Sequence, residues 1–309
     1  MTRLAIIEPR TLIGEAVRDA LESTVDNWDR VDLMTSDPES VGSVTEVGGQ
    51  AALVQEMDSE VLSQVDVALF CGPEIDYSGI ESLTPSTRAI LVGCLEPLAG
   101  ATPIVAGINS EEISGTHRII SPSSAVLMLS HLLAPLADCG VIDIVAHVLE
   151  PASARDQAGL DELIDQTRAI LSLSDERPQA VFGTQLAFNL IPWRSTHREL
   201  AGELSAVLGS RLEAQIFTSQ AGVFHCCSVG FFLRLESDPG VDELQALLSE
   251  DPLVETHPEP DFLGPVAAAG LERIQLGQVL PSPSKGYWVW AVVDNLICSA
   301  NNALAIARY

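Results

Sequence analysis

The sequence has few positive charges. Its 309 residues include 16 lysines and arginines against 43 aspartates and glutamates, which gives a formal net charge of −27, and Lys285 is the one lysine among them. A phosphate backbone or an anionic membrane surface would repel so acidic a protein, so we expect neither a nucleic-acid partner nor a membrane partner. The acidity suits a solvated surface, a saline habitat or a need for solubility.

Long apolar runs are absent as well. No stretch of the sequence approaches the roughly 18 apolar residues that a membrane-spanning helix needs. The first apolar run, residues 4–7, meets a charge at Glu8 and is too short for a signal peptide. The sequence therefore predicts a cytoplasmic protein.

Cysteine pairs with a metal-binding or redox spacing are missing too. No two cysteines form a C-x-x-C pair, which argues against a zinc ribbon and against a thioredoxin motif, and we expect no metal site. In a reducing compartment such cysteines are free thiols, several of them packed as small core residues. The six are Cys71, Cys94, Cys139, Cys226, Cys227 and Cys298.

The chain does contain enough apolar material for a large core. Hydrophobic residues make up 47% of the sequence, and in its first part short apolar runs alternate with a helical pattern. This rhythm predicts a Rossmann-like α/β domain, a parallel sheet with helices on both faces. Strands are predicted over residues 4–7, 31–34, 65–71, 89–92 and 104–106, a helix over 12–21 and a surface loop over 37–49.

The pattern changes near residues 121–124, where a long helix is predicted to begin, capped by one of the serines. Beyond it the sequence predicts an α+β domain with an antiparallel sheet. We expect residues 1–124, joined by a C-terminal helix over 295–309, to form the first domain and residues 125–294 the second. The further predicted elements are strands over 141–149, 223–236 and 289–293 and helices over 159–173, 199–208 and 295–307.

Several strings in the second part closely resemble the aspartate-semialdehyde dehydrogenase family. They are Gly159-Leu160-Asp161-Glu162-Leu163, Gln166-Thr167, Gln185-Leu186-Ala187-Phe188-Asn189-Leu190-Ile191-Pro192, Ala268-Ala269-Gly270 and Trp290-Ala291-Val292-Val293-Asp294-Asn295-Leu296. The resemblance covers nearly the whole chain, weakly before residue 121. It implies a dinucleotide-binding first domain, a second domain of the semialdehyde dehydrogenase dimerisation type and a homodimer. It also implies NADPH-dependent conversion of aspartyl phosphate to aspartate semialdehyde.

The resemblance assigns three catalytic positions, and none of them holds the family's residue. Ser124 stands at the nucleophilic cysteine, Cys227 at the histidine base and Glu150 at the active-site glutamine. A serine has no comparable thiolate at neutral pH, and Ser123 and Ser124 also suit helix capping. On a strand His225 would share a face with Cys227, which leaves open a relocated thiol and base.

The positions for substrate and cofactor are altered as well. Gln220 replaces the arginine that grips the substrate carboxylate, and a neutral amide cannot make that bidentate, charge-assisted contact. Glu203 matches an acid of the family's Glu-x-Arg string, whereas Ser205 replaces its arginine. The glycine-rich phosphate turn reads Glu8-Pro9-Arg10-Thr11-Leu12-Ile13-Gly14, and its last glycine alone remains. The cofactor positions are Thr11, Leu12, Ile13, Gly14 and Asn295.

These substitutions predict a catalytically inactive relative with a structural or regulatory role. It would act as a homodimer without a cofactor, either through contacts with a protein partner that the sequence does not identify or through a retained small-molecule pocket. The alternative is an active NAD(P)-dependent oxidoreductase of this type with relocated catalytic residues, in which Cys226 or Cys227 works with His225. NADP would be its cofactor if the family function is retained. A different enzyme activity on the same scaffold is a third reading, because fold alone does not determine function.

Overall fold

The computed structural model describes residues 2–22, 27–81, 83–95, 98–192, 200–209 and 214–309. The chain divides into two compact units, Met1–Pro122 with Ser299–Tyr309, and Ser123–Cys298. The first boundary lies two residues before the predicted one, because Ser123 and Ser124 begin a helix that is buried in the second unit. The second boundary lies four residues after the predicted one, inside the C-terminal helix.

The first unit is built on an eight-stranded sheet in the order β3-β4-β2-β1-β5-β6-β8-β7. The strands around its centre are nearly continuous apolar runs, as expected where helices cover both faces of a parallel sheet. Its elements are β1 (Arg3–Ile7), α1 (Leu12–Leu21), β2 (Arg30–Thr35), β3 (Val44–Val47), β4 (Gln50–Glu56), α2 (Ser59–Leu62), β5 (Val67–Cys71), α3 (Tyr77–Glu81), β6 (Arg88–Val92), β7 (Thr102–Pro103) and β8 (Arg118–Ser121).

Two predictions for this unit were wrong. The expected loop over 37–49 contains β3, which pairs antiparallel with β4 across Gly48 and Gly49. Both glycines have positive φ, the backbone that tight hairpin turns favour. The expected strand over 104–106 is not a strand. Nδ2 of Asn302 donates a hydrogen bond to the Ile104 carbonyl, and Oδ1 of Asn302 accepts one from the Ala106 amide. The Ile104 amide still donates to the Ile120 carbonyl of β8, but from Val105 onward side-chain partners replace the neighbouring strand.

The second unit carries a seven-stranded sheet in the order β10-β11-β9-β12-β15-β14-β13. The antiparallel prediction was wrong in part, since β9 runs parallel to β11 and β13 runs parallel to β14. The long connection from β9 to β11 includes helices, which a parallel crossover requires. Its elements are α4 (Ser124–Leu133), β9 (Val141–Glu150), α5 (Asp156–Leu171), β10 (Leu190–Pro192), α6 (Leu200–Leu208), β11 (Ala214–Ala221), β12 (Cys227–Leu235), α7 (Val241–Leu248), β13 (Val254–Thr256), α8 (Pro265–Ala268), β14 (Ile274–Ser282) and β15 (Gly286–Val293). The C-terminal helix α9 (Asn295–Ala307) begins in this unit and continues in the first unit from Ser299.

Helix α4 forms the centre of the second unit's core. Every residue from Ser124 to Leu133 is buried, and the helix packs against α6, β12 and β15. Ser123 caps it by accepting a hydrogen bond from the Val126 amide, which confirms the predicted serine cap. No helix in the part of the chain that the structure describes is both long and apolar enough to cross a membrane.

The strings that carry the family resemblance build a hydrogen-bonded anchor between α5 and the segment 178–187. Gln166 is fully buried, and its Oε1 accepts from two main-chain amides while its Nε2 donates to two main-chain carbonyls. One turn earlier, the Glu162 carboxylate accepts from two further amides. The partners are Leu186, Ala187, Pro178 and Thr184 for Gln166, and Val181 and Phe182 for Glu162. These strings therefore stabilise the fold.

Candidate functional site

Three of the family's site positions line up at one end of the sheet in the second unit. Gln220 on β11 pairs with Glu150 on β9, and Ser228 on β12 pairs with Leu149, so Cys227 follows in line with Glu150. Neighbouring strands lie about 4.8 Å apart, and residues of one such row point to the same face. The topology thus brings Gln220 and Cys227 beside Glu150, which lies 70 or more residues earlier in the sequence.

Ser124 joins this row from the first turn of α4. Ser124 and Cys227 are both buried, and Ser124 lies close enough to the Cys227 thiol to lower the pKa of that thiol. The fold therefore brings together the positions that the resemblance assigns to the nucleophile and the base. The pair consists of a hydroxyl and a thiol, and neither group is a good base at neutral pH.

The environment of this pair keeps the thiols protonated. Burial raises the pKa of Cys227 well above its ordinary value of 9.0, the charge of Glu150 raises it further, and the hydrogen bond from Ser124 opposes them only in part. Burial, followed by the charge of Asp294, raises the pKa of Cys226 and of Cys298 to about 12. Because the thiolate is the nucleophilic form, all three cysteines are poor nucleophiles at neutral pH.

The placement of His225 on the same strand face as Cys227 was wrong. Strand β12 begins at Cys227, and Cys226 has a left-handed φ of 72°, which ends the alternation of side chains before His225. The Cys226 amide instead donates to Oδ1 of Asn295 at 3.0 Å. A turn that the sequence pattern did not indicate thus separates the histidine from the strand.

None of the three positions that the resemblance assigns to substrate binding holds a positively charged residue. Gln220 is fully buried, its Nε2 donates to the main-chain carbonyl of Glu150 at 2.9 Å, and its Oε1 has no hydrogen-bond partner. This amide therefore ties β11 to β9. Glu203 and Ser205 both lie on α6, which packs against α4 and β11, and both side chains are partly buried.

In the turn after β1 in the first unit, a non-glycine residue has the backbone conformation that glycine favours. Glu8 has a left-handed φ of 57°, a conformation that costs a non-glycine residue about 1 kcal/mol. Gly14 remains because a Cβ at that position would lie 2.3 Å from the carbonyl oxygen of Glu8. Thr11 caps α1, its Oγ1 accepting from the Gly14 amide at 3.1 Å and donating to the Glu8 carbonyl at 3.0 Å.

The Glu8 side chain reaches the end of the neighbouring strand β2. Its carboxylate accepts hydrogen bonds from Oγ1 of Thr35 at 2.6 Å, and from the amide and the Oγ of Ser36, both at 2.7 Å. Sequence reasoning missed Thr35 and Ser36, although small polar residues at the carboxyl end of a buried parallel strand are a usual place for ligand contacts.

These residues do not fit a dinucleotide phosphate. The glycines that would admit the pyrophosphate are replaced by Glu8 and Thr11, and Pro9 has no N–H to donate. The Gly14 amide is already bonded to Thr11, and the hydroxyls after β2 are bonded to a carboxylate. Of the cofactor positions, Leu12 is partly buried and Ile13 is buried in the core.

Asn295 lies in the second unit, at the start of α9. It is buried, and its Oδ1 accepts hydrogen bonds from the Cys226 amide and, at 3.2 Å, from the Ser153 hydroxyl. This oxygen therefore holds the turn that precedes β12. Among the described residues, no group of three or more histidine, cysteine, aspartate or glutamate side chains could hold a metal ion.

A family model and two curated proteins, compared with this chain, all point to the semialdehyde dehydrogenases. The family model of the semialdehyde dehydrogenase dimerisation domain matches residues 133–298, more than half of the chain. The aspartate-semialdehyde dehydrogenase of Rickettsia conorii is 23% identical over 314 residues, which cover 95% of this chain and 92% of that protein. The enzyme of the same name from Aquifex aeolicus is 21% identical over 337 residues, which cover 99% and 97%.

A solved structure shares the fold over the whole length. The structure of a probable aspartate-semialdehyde dehydrogenase from Pseudomonas aeruginosa superposes with a TM-score of 0.89 at 24% sequence identity. The match covers 99% of this chain and 97% of that one. The order of strands described above is therefore an architecture that a known protein also has.

Proposed function

The chain belongs to the semialdehyde dehydrogenase family, and on that premise we propose that it is a member that keeps the aspartate-semialdehyde dehydrogenase scaffold without its catalysis. The observation that carries the proposal is that the positions of the nucleophile and the base hold a buried hydroxyl, Ser124, and a buried thiol, Cys227. The parent chemistry needs a thiolate to form a thioester and a base to accept its proton. This pair supplies neither of them.

The surrounding charges support the same conclusion. A substrate with a carboxylate and an acyl phosphate needs cations, but Gln220 offers a neutral amide already bonded to the main chain of Glu150. The acid at Glu150 adds negative charge beside Cys227. An anionic substrate would therefore be repelled where the family binds one. The mismatch at the dinucleotide turn supports a role without a nicotinamide cofactor.

We further propose that the protein is a homodimer, formed through the face of the second unit's sheet that the core helices leave open. Apolar side chains on this face include Val145, Phe217 and Trp288, which are 43%, 57% and 50% exposed. Two ring contacts, between His147 and Phe217 and between Phe232 and Trp288, order the surface. A contiguous apolar surface of this kind is unusual on a monomer. A second copy is the occupant that the matching dimerisation domain favours.

The role of such a dimer is structural or regulatory, exerted in the cytoplasm through contacts with a further protein. The rival proposal is an active oxidoreductase with relocated catalytic groups. The raised pKa of Cys226 and of Cys227 and the position of His225 before β12 count against it, because no described thiol is paired with a histidine in this region.

The deciding experiment is a turnover assay of the purified full-length protein. NADPH formation from aspartate semialdehyde, phosphate and NADP is followed by absorbance, with an active aspartate-semialdehyde dehydrogenase as positive control. We expect a rate at least about 10⁴-fold below the control, the usual order of loss when a covalent nucleophile is removed. Turnover in the ordinary range of about 1 to 10³ per second would overturn the proposal.

A further inference from the structure

The Glu8 carboxylate accepts hydrogen bonds within the first unit that no family motif describes. The carboxylate is held by Thr35 and Ser36, 27 and 28 residues further along the chain, through three donors at 2.6 to 2.7 Å. Thr35 is almost fully buried. These are short, charge-assisted hydrogen bonds, and they engage both carboxylate oxygens.

The backbone at Glu8 is arranged for this contact. Glu8 follows β1 directly, its amide donates to the Met34 carbonyl at 2.8 Å, and its left-handed φ is one that glycine adopts without steric cost. A strained residue kept by strong side-chain contacts is a sign that the side chain has a task at that position.

The contact between Glu8 and Thr35 lies at the edge of the sheet where ligands bind in folds of this type. Strands β1 and β2 are parallel neighbours, with Ile7 in register with Met34, so Glu8 and Thr35 lie at the carboxyl ends of both strands. The winding direction of the sheet reverses between β1 and β5, so Glu8 at the end of β1 borders this switch point, and Thr35 and Ser36 lie on its β2 side. In open α/β sheets, ligands bind in the crevice at this point.

We infer that the Glu8 carboxylate is a built-in substitute for a ligand phosphate, occupying the donors of Thr35 and Ser36 in the crevice of the first unit. Two hydroxyls and one amide are a donor set that suits any compact oxyanion, a carboxylate or a phosphate alike. A tethered carboxylate competes at a high effective concentration with any free anion. It also repels a second anion. The first unit is thereby closed to nucleotide phosphates, which deepens the proposed absence of a cofactor and does not depend on the state of the acyl site.

The test replaces Glu8 and measures anion binding by the full-length protein. The Glu8→Gly variant removes the carboxylate and relieves the backbone, and the Glu8→Asn variant does the same with a residue that tolerates a left-handed φ. The matched control is Glu39→Gln, which removes one negative charge from an exposed position in the loop after β2. The probes are NADPH, inorganic phosphate and adenosine, followed by calorimetry and thermal shift.

We expect the parent and the Glu39→Gln variant to bind none of the probes at millimolar concentration. The Glu8→Gly variant should bind inorganic phosphate or NADPH at least tenfold more tightly than the parent, and should not bind adenosine. Binding of NADPH alone would identify a nucleotide phosphate as the ligand that Glu8 replaces, and equal binding of inorganic phosphate would identify a general oxyanion site.

Two results would overturn the inference. One is equal binding by the parent and the Glu8→Gly variant; the other is a gain in the Glu39→Gln control as large as in Glu8→Gly, which would reflect net charge alone. If Glu8→Gly fails to fold, Glu8→Asn decides by the same comparison. The turnover assay of the parent is independent of these results, so failure of the inference and failure of the proposed function are distinguishable.

Discussion

Replacing Gln166 tests whether the family strings act as a structural anchor. The change is Gln166→Met, which keeps the size and the helix propensity of the side chain and removes all of its hydrogen bonds. Four bonds to main-chain groups are lost, at distances of 2.6 to 3.1 Å. The matched control is Gln157→Met on the same helix, where an exposed glutamine bonds to Asp161 only.

The expected loss of stability follows from burial. Each of the four bonds is worth about 1 kcal/mol net, and buried groups left unpaired cost more, so we expect Gln166→Met to lose about 3 to 5 kcal/mol. For a domain of this size the melting temperature should fall by roughly 10 °C. Gln157→Met should change the free energy of unfolding by less than about 0.5 kcal/mol, because the Gln157 carboxamide is exposed to water in the folded protein as well as in the unfolded chain.

Guanidinium unfolding followed by tryptophan fluorescence provides the measurement. Trp288 and Trp290 report on the second unit, while Trp28 reports on the first, so the transition of the affected unit can be identified. A loss below about 1 kcal/mol in Gln166→Met would show that the segment 178–187 is held by other contacts. A similar loss of stability in both variants would mean that any such substitution on α5 destabilises the helix, and that the hydrogen bonds of Gln166 are not the cause.

Three further predictions concern the second unit. Light scattering should give about twice 32.9 kDa for the parent and the monomer mass for Trp288→Glu, with Leu171→Glu on the outer face of α5 as a dimeric control; a monomeric parent would refute the sheet-face dimer. Cys226 and Cys227 should resist iodoacetamide at pH 8 in the native protein and react after unfolding, as mass spectrometry would show; rapid native labelling would contradict their raised pKa. Asp251 is partly buried, which raises its pKa, but hydrogen bonds from His131 and the Leu253 amide lower it overall. A depressed carboxyl pKa stabilises the fold above the unfolded value of about 3.9, so stability should fall with pH below about 4, and less steeply in Asp251→Asn, as thermal unfolding across pH 3 to 6 would test.

Local patterns in the sequence predicted those features that one segment determines by itself. Helix α1 over 12–21 and helix α9 over 295–307 were predicted with the bounds that the structure has, because an apolar face with a periodicity of three to four residues is a property of one stretch of chain. Strands β1, β2, β5 and β6 of the first unit were recognised for a similar reason, whereas β8 was not predicted. The family followed from strings that prove to be packing and hydrogen-bonding residues, such as Gln166.

Tertiary structure decided what depends on partners distant in sequence. The mixed order of the second sheet, the hairpin within 37–49 and the turn at Cys226 all depend on which strands pair, and pairing is not written in one strand's periodicity. The buried positions Ser124 and Cys227, which the fold brings near each other, are about 100 positions apart in the sequence. The sequence indicated that Glu8 stands where a glycine was expected; only the folded chain shows its carboxylate bonded to Thr35 and Ser36, because hydrogen bonds between strands exist only once the strands lie side by side.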